Sequence, residues 1–384
     1  MSSAIDQVLQ DAVAAGSVPQ AVAIAADRDG NILYEGGAGP RSVGSDEPAG
    51  VDTHFRIASM TKMVATTAAL QQVEQGNLEL EAPIDTILPQ FADLQVLEGF
   101  DGDTPKYRPA GARATVKQLI THTTGLSYWF WNPEIVEWER VTGTPNVLTG
   151  DKAIFTAPLI ADPGTKFEYG INTDWLGEVV REVSGQNLKD YLAEHVLGPL
   201  GMNRTSFTPS EADRANLAAI HIKGEDGDWV ATDVDWSTAP QWWAGGHGLY
   251  STPRDYLRFQ LMLLNNGTLD GEQILQASTV EQGFTNQIGS LDFPTHIPTG
   301  DPAVSGPWNG PPGMKWGHGL LLNTVQEPGL RAAYSGAWAG VFNSHYWVDP
   351  TSGVTGAIYS QFLPFIPAEA MQLYQDFERE VYRL

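Results

Sequence analysis

Phe55-Arg56-Ile57-Ala58-Ser59-Met60-Thr61-Lys62 is the stretch on which the reading of this chain turns. Small and apolar residues continue from it to Gly76, which predicts a helix beginning near Ser59. A separation of three places Ser59 and Lys62 on one helix face, within reach of each other. The helix N-terminus adds orphan N–H groups and the positive end of a dipole, which favour negative charge developing on the Ser59 oxygen. Burial would lower the Lys62 pKa and leave a neutral amine able to take the hydroxyl proton. Alone, the pair is a weak signal: with 19 serines and 8 lysines in the chain, a coincidental S-x-x-K is unsurprising. A serine cap followed by a surface lysine would look the same.

Outward from this stretch, strands and helices can be read from their periods. Ile5, Val8, Leu9, Ala12 and Val13 fall at helical spacing before Gly16. Ala21 to Ala26 and Ile32 to Tyr34 read as strands joined through Asp29-Gly30, a hairpin signal. From Gly76 to about residue 230 helical spacing dominates, as in Trp175 to Val180 and Leu188 to Leu197. Thr252-Pro253-Arg254-Asp255 is a helix start, with a capping hydroxyl, Pro at the first helical position and an acid in the first turn. Strand-like runs return near Trp316. Val341 to Val348 and Val354 to Tyr359 flank Asp349-Pro350-Thr351-Ser352-Gly353 as a second hairpin, and Leu373, Tyr374, Phe377 and Val381 share a face of the last helix. Hairpins at both ends with helices between them predict an α+β fold, an antiparallel sheet flanked by helices. The expected division is an α/β lobe of residues 1–72 and 232–384, with a mainly helical lobe, 73–231, inserted.

The chain has 384 residues, enough for a large core, and a net charge of −24. So acidic a balance argues against nucleic acid or an anionic membrane as partner, since their phosphates attract Lys and Arg. Solubility is the plainer reading of the charge. Cysteine is absent, which removes disulfides, thiolate metal sites and a thiol nucleophile. No run approaches the ~20 apolar residues of a membrane span. Met1-Ser2-Ser3-Ala4-Ile5-Asp6 has neither the basic nor the apolar region of a leader, so the expected location is the cytoplasm. No metal or cofactor is expected, because H-E-x-x-H, the P-loop and the dinucleotide fingerprint are all missing. The G-x-S-x-G of α/β-hydrolases is missing too.

Further blocks give the Ser59–Lys62 pair its weight. Residues 55–62 resemble the F-x-I-A-S-x-T-K of the penicillin-recognising, serine β-lactamase-like superfamily. Leu119-Ile120-Thr121-His122-Thr123-Thr124-Gly125-Leu126 is similar to its L-L-x-H-T-S-G-L, and Pro199-Leu200-Gly201-Met202 to its P-L-G-M. Gly245-Gly246-His247-Gly248-Leu249-Tyr250-Ser251-Thr252 resembles G-G-x-G-L-x-S-T. The blocks follow the family's order over most of the chain, and the resemblance implies a β-lactamase-like fold with the site in a cleft between lobes.

The resemblance also implies a tyrosine near the nucleophile. Pro163-Gly164-Thr165-Lys166-Phe167-Glu168-Tyr169 matches P-G-x-x-F-x-Y, making Tyr169 the counterpart, but Asn172 lies one place too late for Y-x-N. No Lys-Ser/Thr-Gly occurs; its expected place holds Trp338-Ala339-Gly340, which resembles the W-G-G of family VIII carboxylesterases. The implied substrate contacts are therefore Trp338, Ala339 and Gly340, and the implied oxyanion donors are the backbone N–H groups of Ser59 and Val341. His122 reads as structural. His247, between glycines, could line the cleft or fill a tight loop. Tyr128, Trp129, Phe130, Trp131, Trp242 and Trp243 would suit a neutral ester or anchor the helical lobe equally well.

The expected function is thus a serine carboxylesterase of the family VIII, butanediol-diacrylate-esterase type. It would cleave short-chain esters as small-molecule substrates through an acyl-enzyme on Ser59, with Lys62 and Tyr169 moving the proton. Losing the lysine of the third motif removes a grip on the carboxylate of lactams and peptidoglycan termini. The rivals are an amidase, β-lactamase or D-amino peptidase on the same scaffold, and, from another class, an inactive binding or sensor domain.

Overall fold

The strands expected at the two ends of the chain pair with each other. Residues 3–384 are described by the structure, a computed structural model. Its main sheet takes β1 (Ala21–Asp27) and β2 (Ile32–Ala38) from the N-terminal part. From the C-terminal part it takes β3 (Lys315–Trp316), β4 (Leu321–Leu322), β5 (Gly336–Gly340), β6 (Ser344–Asp349) and β7 (Val354–Tyr359). The order is β3-β4-β5-β6-β7-β1-β2, antiparallel throughout. The fold is the expected α+β, β-lactamase-like one.

Both faces of β1 are buried, and the period of two divides its side chains between two cores. Val22, Ile24 and Ala26 join the large core, whereas Ala21, Ala23 and Ala25 face a smaller one. Helices α1 (Ala4–Ala14) and α5 (Ala368–Val381) supply the smaller core with Ile5, Leu9, Leu373, Tyr374, Phe377 and Val381. Each such side chain contributes roughly 1.5–3 kcal/mol by leaving water. On the other face lie α2 (Thr61–Glu74) and, after α3 (Asn172–Ser184), α4 (Pro253–Leu264). Helix α2 is buried from Thr61 to Gln72, so it has no polar face and runs through the large core. The Thr252 side chain caps α4, accepting from the Asp255 N–H at 3.2 Å.

Two hairpins, residues 96–108 and 220–232, stand where helical spacing was expected to dominate. Their strands are largely exposed, so they lack the apolar alternation that a half-buried sheet imposes. The turn signal was nevertheless present: each tip carries Asp-Gly-Asp, with Gly102 at φ 60° and Gly227 at φ 86°. The strand expected from Val341 begins only at Ser344. Asn343, at φ 65°, turns the chain. Its side chain is fixed by donating to the Phe362 and Pro364 carbonyls at 3.0 Å each and accepting from the Ile366 N–H at 2.8 Å. Val341 is thereby held at the end of β5, outside the ladder. Among the described residues no helix is long and apolar enough to cross a membrane.

Candidate active site

Ser59 occupies a single 3-10 turn, Ala58–Met60, that leads into α2, rather than the α-helix itself. The preceding Ala58 is buried and left-handed, at φ 45°, a conformation that costs a residue with a Cβ free energy and needs support. Support comes from the segment 249–251. Phe55 and Arg56 pair with Ser251 and Tyr250, and the Ile57 N–H donates to the Leu249 carbonyl at 3.1 Å. The Leu249 N–H in turn donates to Thr61 Oγ1 at 3.1 Å, and the Tyr256 hydroxyl to the Met60 carbonyl at 2.9 Å.

Lys62 reaches back one turn, and its Nζ donates to Ser59 Oγ at 3.1 Å. It also donates to the Tyr128 hydroxyl at 3.0 Å and the Gly246 carbonyl at 2.8 Å. Rings of Tyr169 and Tyr128 lie 4.7 and 4.9 Å from the nitrogen. Among the described residues no carboxylate bonds to the amine. Burial therefore drives its pKa well down, and the nearby charge of Asp174 only partly restores it. Asp174 is itself buried in the first turn of α3, where it accepts from the Gly246 N–H at 2.8 Å and the Tyr128 hydroxyl at 3.3 Å. Burial raises its pKa, with Lys62, Gly246 and Tyr128 pulling the other way. Sequence reasoning passed over Asp174, because an acid in a first turn usually serves the helix dipole. It passed over the Tyr128 contact for a similar reason, having grouped that residue with the other aromatics.

Tyr169 packs against His122, its ring 4.8 Å away, and against Trp338 at 4.9 Å. Its hydroxyl accepts from Trp338 Nε1 at 3.0 Å. Burial pushes its pKa up, opposed by hydrogen bonds with Ser59 and Trp338. Gly170 follows because a Cβ there would stand 2.3 Å from the Leu126 carbonyl oxygen. Asn172, the displaced asparagine, spends its side chain on hydrogen bonds with Thr124, His122, Leu126 and Glu168. Its amide donates to His122 Nδ1 at 3.0 Å and to the Leu126 carbonyl at 3.4 Å, and its oxygen accepts from Thr124 at 2.5 Å. The 122–126 block is thus tied to the start of α3, with His122 at φ 54°.

A cavity opens beside Ser59, walled by Ala58, Tyr128, Trp129, Phe130, Trp236, His247, Val341 and Phe342, with Val147, Leu148, Val234, Val304 and Leu363. Its lining holds no Lys or Arg. Trp242 and Trp243 wall a neighbouring cleft, and Trp131 is buried, with Nε1 donating to Ser305 Oγ at 2.9 Å. Trp338, Ala339 and Gly340 are buried in β5, with Trp338 against Tyr169, and are not among the residues that wall this cavity. Gly340 is pressed onto the turn that carries Ser59, where a Cβ would stand 2.5 Å from the Ile57 oxygen. That contact carries the end of β5, and so Val341, to the rim of the Ser59 cavity.

A serine beside a buried amine, set where an antiparallel sheet meets a helical layer, has the layout of the penicillin-recognising serine enzymes. The chain belongs to the beta-lactamase family, whose model, described as Beta-lactamase, matches residues 5–379. Similar proteins include the lovastatin esterase of Penicillium rubens, 29% identical over 99% of this chain and 98% of that protein. Another is acyltransferase mokF of Monascus pilosus, 32% identical over 78% and 76%. Among solved structures, a mutant of simvastatin synthase from Aspergillus terreus superposes with a TM-score of 0.84 at 28% identity, covering 99% of this chain and 96% of that one. Fold and relatives together make this chain a serine hydrolase or acyltransferase.

Proposed function

We propose that this chain is a serine carboxylesterase that cleaves short-chain esters through an acyl-enzyme on Ser59. The observation that carries the reading is the Lys62 amine, buried, paired with no carboxylate among the described residues and 3.1 Å from Ser59 Oγ. In acylation Ser59 Oγ adds to the ester carbonyl while its proton passes to the Lys62–Tyr169 pair. The backbone N–H groups of Ser59 and Val341 receive the oxyanion, a fixed pair of donors that lowers the barrier without reorganising. Collapse returns the proton to the departing alcohol, and water then releases the acid. Trp338 holds the Tyr169 hydroxyl, and Ala339 and Gly340 hold Val341 beside Ser59, so the trio serves the substrate through these neighbours.

With no Lys or Arg in its lining, the cavity suits a neutral acyl chain and supplies no wall cation to grip the carboxylate of a lactam. A missing charge-assisted hydrogen bond is worth roughly 1.5–3 kcal/mol, hence about one to two decades of rate. A second reading, transfer of the acyl group to an alcohol, is favoured by the acyltransferase names among the similar proteins. The test compares p-nitrophenyl butyrate with a chromogenic cephalosporin and follows the acyl adduct by mass spectrometry. The ester should be preferred by at least about one to two decades in kcat/KM, with the adduct on Ser59 and both lost in Ser59→Ala. Equal efficiency on the cephalosporin would overturn the esterase assignment.

A further inference from the structure

Beside its apolar groups, the Ser59 cavity is walled by Tyr128 and His247. The Tyr128 hydroxyl is engaged by Lys62 at 3.0 Å; His247 has no part in the reaction described so far. Its position is tightly set all the same. The residue before it, Gly246, is bonded through its N–H to Asp174 and through its carbonyl to Lys62, at 2.8 Å each. A Cβ at Gly246 would stand 2.5 Å from Asp174 Oδ2 and 2.7 Å from the Tyr128 hydroxyl. The imidazole is gripped by edge-on contacts with Trp236 and Trp242, at 5.1 and 6.2 Å between centroids.

Packing, and not hydrogen bonding, holds this ring. His247 is 8% exposed, and its buried Nδ1 has no hydrogen-bond partner among the described residues. Asp174 Oδ1 stands 4.0 Å from Nδ1, and a carboxylate on that side favours the tautomer protonated at Nδ1. Nε2 is then left with a free lone pair. Burial keeps the ring neutral by pushing its pKa down to about 3, and a proton on Lys62 acts in the same direction. His247 also walls the neighbouring cleft, so with Leu148 and Trp236 it forms the partition between that cleft and the Ser59 cavity.

We infer that His247 holds the deacylating water and thereby biases the acyl-enzyme toward hydrolysis over transfer to an alcohol. The inference rests on the acyl-enzyme reading of Ser59. A water molecule has two O–H bonds, so it can donate to His247 Nε2 and to the Lys62–Tyr169 pair together; an alcohol has a single O–H bond and must forgo one of them. The water oxygen adds to the acyl carbonyl carbon, and one of its protons passes to the Lys62–Tyr169 pair. The other stays on the oxygen, bonded to Nε2, and becomes the hydrogen of the carboxylic acid. The tetrahedral intermediate then breaks its bond to Ser59 Oγ, which takes back the first proton. His247 ends the cycle as it began, neutral.

The experiment follows p-nitrophenyl butyrate with and without added 1-butanol, in the wild type and in His247→Phe, which keeps the ring between the two tryptophans and loses both nitrogens. The burst of p-nitrophenol and the mass of the adduct on Ser59 report the acyl-enzyme reading by themselves. His247→Phe should acylate within about threefold of the wild type and hydrolyse its acyl-enzyme about tenfold more slowly, as expected for one lost hydrogen bond. Its ratio of butyl ester to acid should rise by about tenfold. His247→Gln, which restores an acceptor, should recover part of the difference, and it replaces His247→Phe if that variant does not fold. An unchanged ratio, or parallel losses in hydrolysis and transfer, would overturn the role of His247 and leave the Ser59 adduct standing. Absence of the adduct in the wild type would instead remove the reading on which the inference rests.

Discussion

Two cations set in the interior, Arg331 and Lys62, are sent in opposite directions by their surroundings. Arg331 lies between the sheet and α5, only 13% exposed at its side chain. Its Nε donates to Glu378 Oε1 at 3.0 Å and its Nη2 to Glu378 Oε2 at 2.6 Å and to the Tyr374 hydroxyl at 2.6 Å. Contact with Tyr374 and Glu378 outweighs desolvation, so the guanidinium stays charged and its pKa is pushed upward. Lys62 donates only to hydroxyls and a carbonyl, and desolvation outweighs the more distant charge of Asp174. A fully compensated charge is fixed, and removing it leaves its partner buried and unpaired. An incompletely compensated one can give up its proton within the working range, which is the property a base needs.

The largest expected effect breaks the reactive half of this comparison. Lys62→Ala should lower the acylation rate by on the order of 10²–10⁴-fold, the usual worth of a positioned acid or base. Its thermal stability should change little, because Asp174 keeps Gly246 and Tyr128 and can itself take a proton. A variant retaining most of the wild-type rate, read from the burst of p-nitrophenol, would show that the amine is not the base. Arg331→Met addresses the other half. It strands Glu378, which is 1% exposed at its side chain, and should cost about 3–5 kcal/mol in denaturant unfolding. The rate per folded molecule should stay the same. If the rate fell with the stability, the two sites would not be separate.

Asp174→Asn sharpens the contrast. On the proposed mechanism the rate depends on neutral Lys62, so it should rise with pH through a midpoint well below the 10.5 of an ordinary lysine. The Asp174 charge raises the Lys62 pKa, so its removal should move that rising limb to lower pH. Weakened anchoring of Gly246 and Tyr128 should lower kcat/KM about tenfold at the plateau. A limb that stays in place or moves to higher pH would mean that Asp174 does not act on the amine. The smallest effect belongs to Trp338→Phe, which keeps the ring against Tyr169 and deletes one neutral hydrogen bond of 3.0 Å. A loss of about three- to tenfold in kcat, with KM nearly unchanged, is expected. A rise in KM alone would make Trp338 a direct substrate contact.

What the sequence determined by itself is local or carried in linear blocks. The pairing of Ser59 with Lys62 follows from a spacing of three, and the structure brings their side chains to 3.1 Å. The hairpins at both ends, the cap at Thr252 and the amphipathic last helix could all be read from periods and turn residues. The ordered blocks around residues 55, 119, 199 and 245 led to the fold. Tertiary structure alone decided the rest. Asp174, Tyr128 and Gly246 come from three distant segments; Gly246 stands in a legible block, but nothing in the local sequence shows that any of the three meets Lys62. Nor could the sequence show that Asn172 bonds to His122 while Trp338 turns to Tyr169. Proton affinity depends on what surrounds a group on all sides. That surrounding is a property of packing between segments far apart in the chain, as the opposite fates of Lys62 and Arg331 make plain.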